Sequence, residues 1–230
     1  MDAPRTYVRV YVWELPVRIF HWLNALCIAV LCVTGYLIAH PPALVTSREA
    51  GDLYTFGVIR FIHFAAAYVF VGVLLLRLYW AFAGNRFARW NNFLPLTRRQ
   101  LQETLDVAKI EVLQVSDRPL EPLGHNAVAY FSYTAMFLLA LFQIVSGFAL
   151  YAGASGSWFP RLFAWVTPLF GSEYRLRTFH SAAMWLFVAF ILMHVYLSCY
   201  EDYVDGRGAI SSMIGGWKFK ERKKDDGPAR

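Results

Sequence analysis

The side chains with most to offer chemically are six histidines: His21, His40, His63, His125, His180 and His194. Four of them, His21, His63, His180 and His194, fall inside long apolar runs. An imidazole in hydrocarbon costs free energy unless it has a partner, so an ionisable side chain there marks function by default. His180 and His194 are fourteen residues apart. At about 100° per residue that is roughly 40° short of four full turns, and about 21 Å along the axis. One helix would thus present two nitrogen ligands on nearly one face, at two depths.

Depth pairs these two with the others. His21 lies six residues from Leu15, and His194 six from Tyr200. His63 lies twenty from Ala83, and His180 twenty from Tyr200. These run ends belong to one side of a membrane, so His21 shares a level with His194, and His63 with His180. Two imidazoles at one depth on two helices suit the axial positions of a haem iron, since the porphyrin supplies the other ligands. Zinc would need three or four protein ligands together. Covalent c-type haem is excluded, because no Cys-x-x-Cys-His occurs. The expectation is two b haems, with metal ligands paired His21/His194 and His63/His180.

Other residues near these four have two readings each. Gly35, fourteen residues after His21, gives a porphyrin room or serves ordinary small-residue helix packing. Arg18, Arg60, Arg77 and Arg177 pair with haem propionates or extend to the headgroups. His125, in Gly124-His125-Asn126, caps a helix or serves a proton path. His40 precedes Pro41-Pro42 and reads as solvated. Cys27, Cys32 and Cys199 read as small apolar core residues. There is no phosphate-cradling glycine loop, no His-Glu-x-x-His and no nucleophile elbow. The carboxylate pairs Glu201-Asp202 and Asp225-Asp226 read as solvated charge.

The elements that must hold the histidines follow from composition. The 230 residues are 57% hydrophobic and 17% charged, with mean hydropathy +0.38. That is too apolar for an ordinary soluble domain and excludes disorder. Three Cys in so long a chain exclude a disulfide scaffold. Four runs are long enough to span about 30 Å of hydrocarbon as helices: 15–39, 56–83, 127–151 and 176–200. They lack the two-residue alternation of barrel strands. The expected fold is an all-α integral membrane four-helix bundle. It forms a single haem-binding domain over 1–230, ending in a basic tail over 201–230.

Sixteen of the 22 Lys and Arg residues lie on the side of the termini and the long 84–126 connection, five lie on the other side, and Arg77 lies within a span. The positive-inside rule then places both termini in the cytoplasm. This asymmetry accounts for the net charge of +6 without nucleic acid. The first run is too long for a signal peptide and ends without a small-x-small site, so no cleavage is expected. No internal repeat or low-complexity tract appears. Thr97-Arg98-Arg99-Gln100 reads as a capping box. The apolar spacing of Leu101, Leu105, Ala108, Val112 and Val115 then predicts an amphipathic interfacial helix. In the connection 152–178, Pro160 and Pro168 are expected to bound a short helix. The aromatic residues Trp158, Phe159, Phe163, Trp165 and Phe170 there form an interfacial anchor or a docking surface.

Arg18-Ile19-Phe20-His21-Trp22-Leu23, followed by Leu31-Cys32-Val33-Thr34-Gly35, resembles the first signature of the cytochrome b subunit of membrane-bound nickel–iron hydrogenases. Arg177-Thr178-Phe179-His180, with Trp185, Phe190 and His194, resembles the second. Ile59-Arg60-Phe61-Ile62-His63-Phe64, Gly84-Asn85-Arg86 and Gly124-His125-Asn126 are similar to the same family, and the resemblance runs over nearly the whole chain. One departure is visible. After the second-signature His the family usually has a basic or His residue and an aliphatic one, whereas here stand Ser181 and Ala182.

The resemblance implies an anchor in the bacterial inner membrane for periplasmic hydrogenase large and small subunits. It does not itself act on H₂. Electrons from H₂ oxidation would enter at an outer haem b held by His63 and His180. They would pass to an inner haem held by His21 and His194, and then to a membrane quinone. A quinone site is expected near the inner haem, around Arg18, Tyr200 and Glu201. The gamma subunits of formate dehydrogenase share this plan and are the nearest alternative. Further alternatives are a stand-alone haem b quinone oxidoreductase using a small oxidant such as superoxide, and a haem-free anchor.

Overall fold

A computed structural model describes residues 6–41, 54–89 and 127–221. The capping box, the amphipathic helix expected after it and His125 lie outside these residues. The element order is a strand β1 (Tyr7–Tyr11), then helices α1 (Leu15–Ala39), α2 (Thr55–Ala83) and α3 (Ala127–Ala152). Two one-turn helices follow, α4 (Trp158–Arg161) and α5 (Val166–Leu169), then α6 (Glu173–Asp205), α7 (Ala209–Gly215) and a second strand β2 (Trp217–Glu221). Among the described residues the fold is all-α apart from these two short strands.

Four helices, α1, α2, α3 and α6, are long and apolar enough to cross a membrane. The first three begin and end within a residue of the apolar runs. α6 overruns its run at both ends, for local reasons. At its start Ser172 Oγ accepts the Arg175 amide at 3.3 Å, and Glu173 lies in the first turn, where the helix dipole favours an anion. At its end Gly206, at φ 60°, takes the left-handed conformation that closes helices. Leu26, Val33, Leu75 and Leu192 are each at least 60% exposed, which suits helices whose outer faces meet lipid rather than water.

The described chain packs as two compact units. One draws on residues 6–21, 77–89, 127–134 and 192–221. Here β1 pairs antiparallel with β2, with Arg9 opposite Phe219 and Tyr11 opposite Trp217. The Arg9 guanidinium lies 4.3 Å from the centre of the Trp217 ring. Gly216, at φ 87°, accepts the amides of Val12 and Trp13 at 2.9 and 3.1 Å. A Cβ on it would meet Tyr11 Cε2 at 2.6 Å and the Trp13 carbonyl at 2.7 Å, so only glycine fits. Beside it, Glu14 Oε2 accepts both Trp80 Nε1 at 2.9 Å and the Asn85 amide at 2.8 Å. Asn85 Nδ2 donates to the Val12 carbonyl at 3.0 Å. This clasp fixes the entry to α1 against the exit of α2.

The other unit draws on 22–41, 54–76 and 135–191. Each of the four long helices sends one buried residue into its core: Cys27, Phe70, Ala140 and Phe187. A second cluster, Ala149, Val166 and Leu176, seats α5. The prolines do not bound one helix there. Each lies inside a separate one-turn helix, Pro160 in α4 and Pro168 in α5. A first turn has no amide bond for proline to break. Cys27 and Cys32 belong to the core as expected. Cys199 does not: it is exposed on α6, where a weakly polar thiol is compatible with lipid.

Candidate functional site

In the second unit, His63 from α2 and His180 from α6 line one cavity of about 570 Å³, within the roughly 300–1,000 Å³ of small-molecule and cofactor sites. Its walls are mostly apolar, with Phe70, Ile144 and Phe187 among them, and Arg60, Glu173 and Arg177 also line it.

Both imidazoles are fixed in the same way. His63 Nδ1 lies 2.8 Å from Thr34 Oγ1, and His180 Nδ1 lies 2.7 Å from Ser146 Oγ. Each hydroxyl donates to a carbonyl one turn earlier on its own helix, Thr34 to Val30 and Ser146 to Phe142, both at 2.6 Å. A carbonyl cannot donate, so the hydroxyl proton is committed there and its oxygen accepts Nδ1–H. The imidazole tautomer follows from this network: Nε2 keeps its lone pair. Gln143 Nε2 also donates to the His180 carbonyl at 3.1 Å, tying that turn of α6 to α3.

Glycines make room for both rings. A Cβ on Gly35 would stand 3.3 Å from His63 Cε1, and one on Gly147 would stand 3.1 Å from His180 Cε1. Gly35 thus receives the histidine of the neighbouring helix, as small-residue packing would have it, and also lines the cavity. Gly147, Thr34 and Ser146 were not singled out as site residues by sequence. The signal that could have found them is a hydroxyl-glycine pair standing twice, Thr34-Gly35 and Ser146-Gly147, in spans that also face a histidine.

In the first unit, the rings of His21 on α1 and His194 on α6 have centroids 6.3 Å apart and planes inclined at 55°. An imidazole nitrogen sits about 2 Å from a first-row metal, and the ring centre roughly 1 Å behind it, so two imidazoles flanking one metal have centres about 6 Å apart. The separation fits that arrangement. Among the described residues no three His, Cys, Asp or Glu side chains gather as a metal site. Paired imidazoles, neutral tautomers, apolar walls and a cavity of this size fit haem.

The remaining sequence candidates are placed as follows. Arg60 and Arg177 line the cavity, and Arg177 pairs with Glu173 at 2.7 Å. Arg77 is held inside the protein, 5.3 Å over the Phe20 ring and donating to the Ala88 carbonyl at 3.3 Å. Arg18 donates to the Ile214 carbonyl. Tyr200 stacks on Tyr196. His40 is exposed, as a solvated residue would be, but its ring also stacks on Tyr36 and it lines the cavity. The aromatic loop divides. Phe159 and Phe163 pack on Phe148, while Trp158 and Trp165 stay exposed.

The model of a family described as prokaryotic cytochrome b561 matches residues 12–216. A protein of Azotobacter chroococcum is 43% identical over 97% of this chain and 95% of its own length. One from Cupriavidus necator is 42% identical over 92% and 88%, and one from Escherichia coli K12 is 40% identical over 90% of each. The first two carry the name "Probable Ni/Fe-hydrogenase B-type cytochrome subunit", and the third the name "Probable Ni/Fe-hydrogenase 1 B-type cytochrome subunit".

Proposed function

Because the chain belongs to the prokaryotic cytochrome b561 family, we propose that it is the b-type cytochrome subunit of a membrane-bound nickel–iron hydrogenase. In this reading it binds two haems b and carries electrons from H₂ oxidation to the membrane quinone pool. The observation that supports it most is the pairing of imidazoles across helices: His21 with His194 at 6.3 Å, and His63 with His180 around one cavity.

When bound, haem b supplies a one-electron Fe(III)/Fe(II) couple. The protein does the rest. His63 and His180 offer Nε2 from two helices, and their apolar surroundings exclude water. His21 and His194 offer the second pair. Arg60 puts positive charge beside the cavity, where propionates would be neutralised, and Arg177 there is held by Glu173. Large and small hydrogenase subunits dock on the periplasmic side and feed electrons to the His63/His180 level. Quinone binds toward the His21/His194 level, around Arg18, Tyr200 and Glu201. Each quinone reduced to quinol takes two electrons, and two protons from the cytoplasm. Both termini lie in the cytoplasm, and the bilayer is the bacterial inner membrane.

A pyridine haemochrome assay on the purified chain should return two protohaems. His194→Ala should reduce the count to one, with the surviving haem unchanged in potential. A wild-type chain fully loaded with one haem, or a His194→Ala chain that keeps two, would refute the pairing. Purification in mild detergent should bring down a nickel–iron enzyme. Quinol oxidation by the isolated chain with a small oxidant as electron acceptor, and no such partner, would point to a self-sufficient oxidoreductase instead.

A further inference from the structure

We propose that Thr34 and Ser146 are a matched pair of positioning residues. Each accepts Nδ1–H from the histidine of the facing helix, and together they set the redox potential of the haem held by His63 and His180. The inference rests on the proposed haem reading and deepens it.

Three observations converge. The first is distance: 2.8 Å from Thr34 Oγ1 to His63 Nδ1, and 2.7 Å from Ser146 Oγ to His180 Nδ1. The second is direction of donation. Each hydroxyl proton is taken by a carbonyl of its own helix at 2.6 Å, so the oxygen is left to accept and Nε2 is left to bind metal. The third is placement. His63 and His180 line the cavity together with Gly35 and Gly147, whereas Thr34 and Ser146 stand behind the imidazoles and off its wall. Ser146 is wholly buried and Thr34 nearly so. Hydroxyl and glycine are consecutive on α1 and again on α3, so the same two-residue seat receives both rings. One residue takes Nδ1–H and the next leaves space under Cε1.

A partner that accepts from the far nitrogen fixes the ring's orientation and makes the near nitrogen a stronger donor to the metal. A stronger donor stabilises Fe(III) over Fe(II) and lowers the potential. Both ligands of this haem carry such an acceptor, so the effect is applied from both sides. An electron arriving at that level is thereby inclined to leave it.

The test uses the full-length chain purified with its haems. Thr34→Val and Ser146→Ala each remove one acceptor, their combination removes both, and Thr34→Ser keeps the hydroxyl. Redox titration monitored by electron paramagnetic resonance reads each haem, and the signal missing in His63→Ala identifies the relevant one. Each single removal should shift that haem's potential upward and alter its low-spin ferric signal. The double variant should show about the sum, because the two hydroxyls share no partner. Haem retention should weaken, by roughly 10-fold or more where the ring loses its orientation. Thr34→Ser should restore the wild-type potential, and the His21/His194 haem should not move.

Full haem content with an unmoved potential and signal overturns the proposal, as does an equal shift of both haems. If Thr34→Val loses the haem and Thr34→Ser keeps it at the native potential, the hydroxyl is the cause and the proposal stands. Should both lose it, the side chain's shape is what matters and the proposal falls. Retention of both haems by His63→Ala is a different result, and it removes the ligand reading itself.

Discussion

At the scale of single residues, space under the imidazoles is as decisive as the imidazoles themselves. A methyl on Gly147 would stand 3.1 Å from His180 Cε1, and one on Gly35 would stand 3.3 Å from His63 Cε1. Both are closer than side chains ordinarily come, and in a packed interior the ring must give way. In the proposed two-haem reading, Gly147→Ala should weaken retention of the haem at His63 and His180, while the haem proposed at His21 and His194 keeps its spectrum. Gly35→Ala should be milder, retaining the haem with a shifted α-band. Reduced-minus-oxidised spectra of the two variants check this ranking. The histidines were legible in the sequence because an imidazole is rare and costly in an apolar run. Thr34 and Ser146 were not, because hydroxyls are common in membrane helices and satisfy themselves on their own carbonyls. Their second contact depends on which helix faces which, and that is absent from a linear spacing.

At the scale of elements, the long helices could be read to within a residue or a few, since twenty or more apolar residues in water-free surroundings leave the backbone little choice but helix. The strands could not. Tyr7–Tyr11 and Trp217–Glu221 are only five residues each, and each is meaningless without a partner some two hundred residues away. The clasp at Glu14 went unread for the same reason. It joins Trp80 and Asn85 through one carboxylate oxygen. Glu14→Ala leaves both half-buried donors without this acceptor, at a cost toward the lower end of the about 1–3 kcal/mol for an unsatisfied buried group. The expected result is a lower melting temperature in detergent and faster proteolysis near the N-terminal strand, with Glu14→Gln closer to wild type. An unchanged melting profile for the alanine variant would show that the clasp contributes little. The prolines of the 158–170 segment were seen as helix boundaries, whereas each lies within its own one-turn helix, because a first turn tolerates proline.

For the whole molecule, four apolar helices and family membership agree, and the sequence carried both. Orientation rests on charge alone. Sixteen Lys and Arg residues lie on one side and five on the other. With both termini proposed to be cytoplasmic, replacing Arg86, Arg89, Arg98 and Arg99 with Glu should disturb insertion and change what reporters fused to the two termini read. Unaltered reporters would break the charge argument. The ribbon near the termini has a further consequence for biosynthesis. Its two strands lie some two hundred residues apart in sequence, and β2 is the only strand paired with β1 among the described residues. A nascent chain stopped before residue 217 therefore leaves the edge of Tyr7–Tyr11 unpaired, and the ribbon can close only after the four long helices have been made.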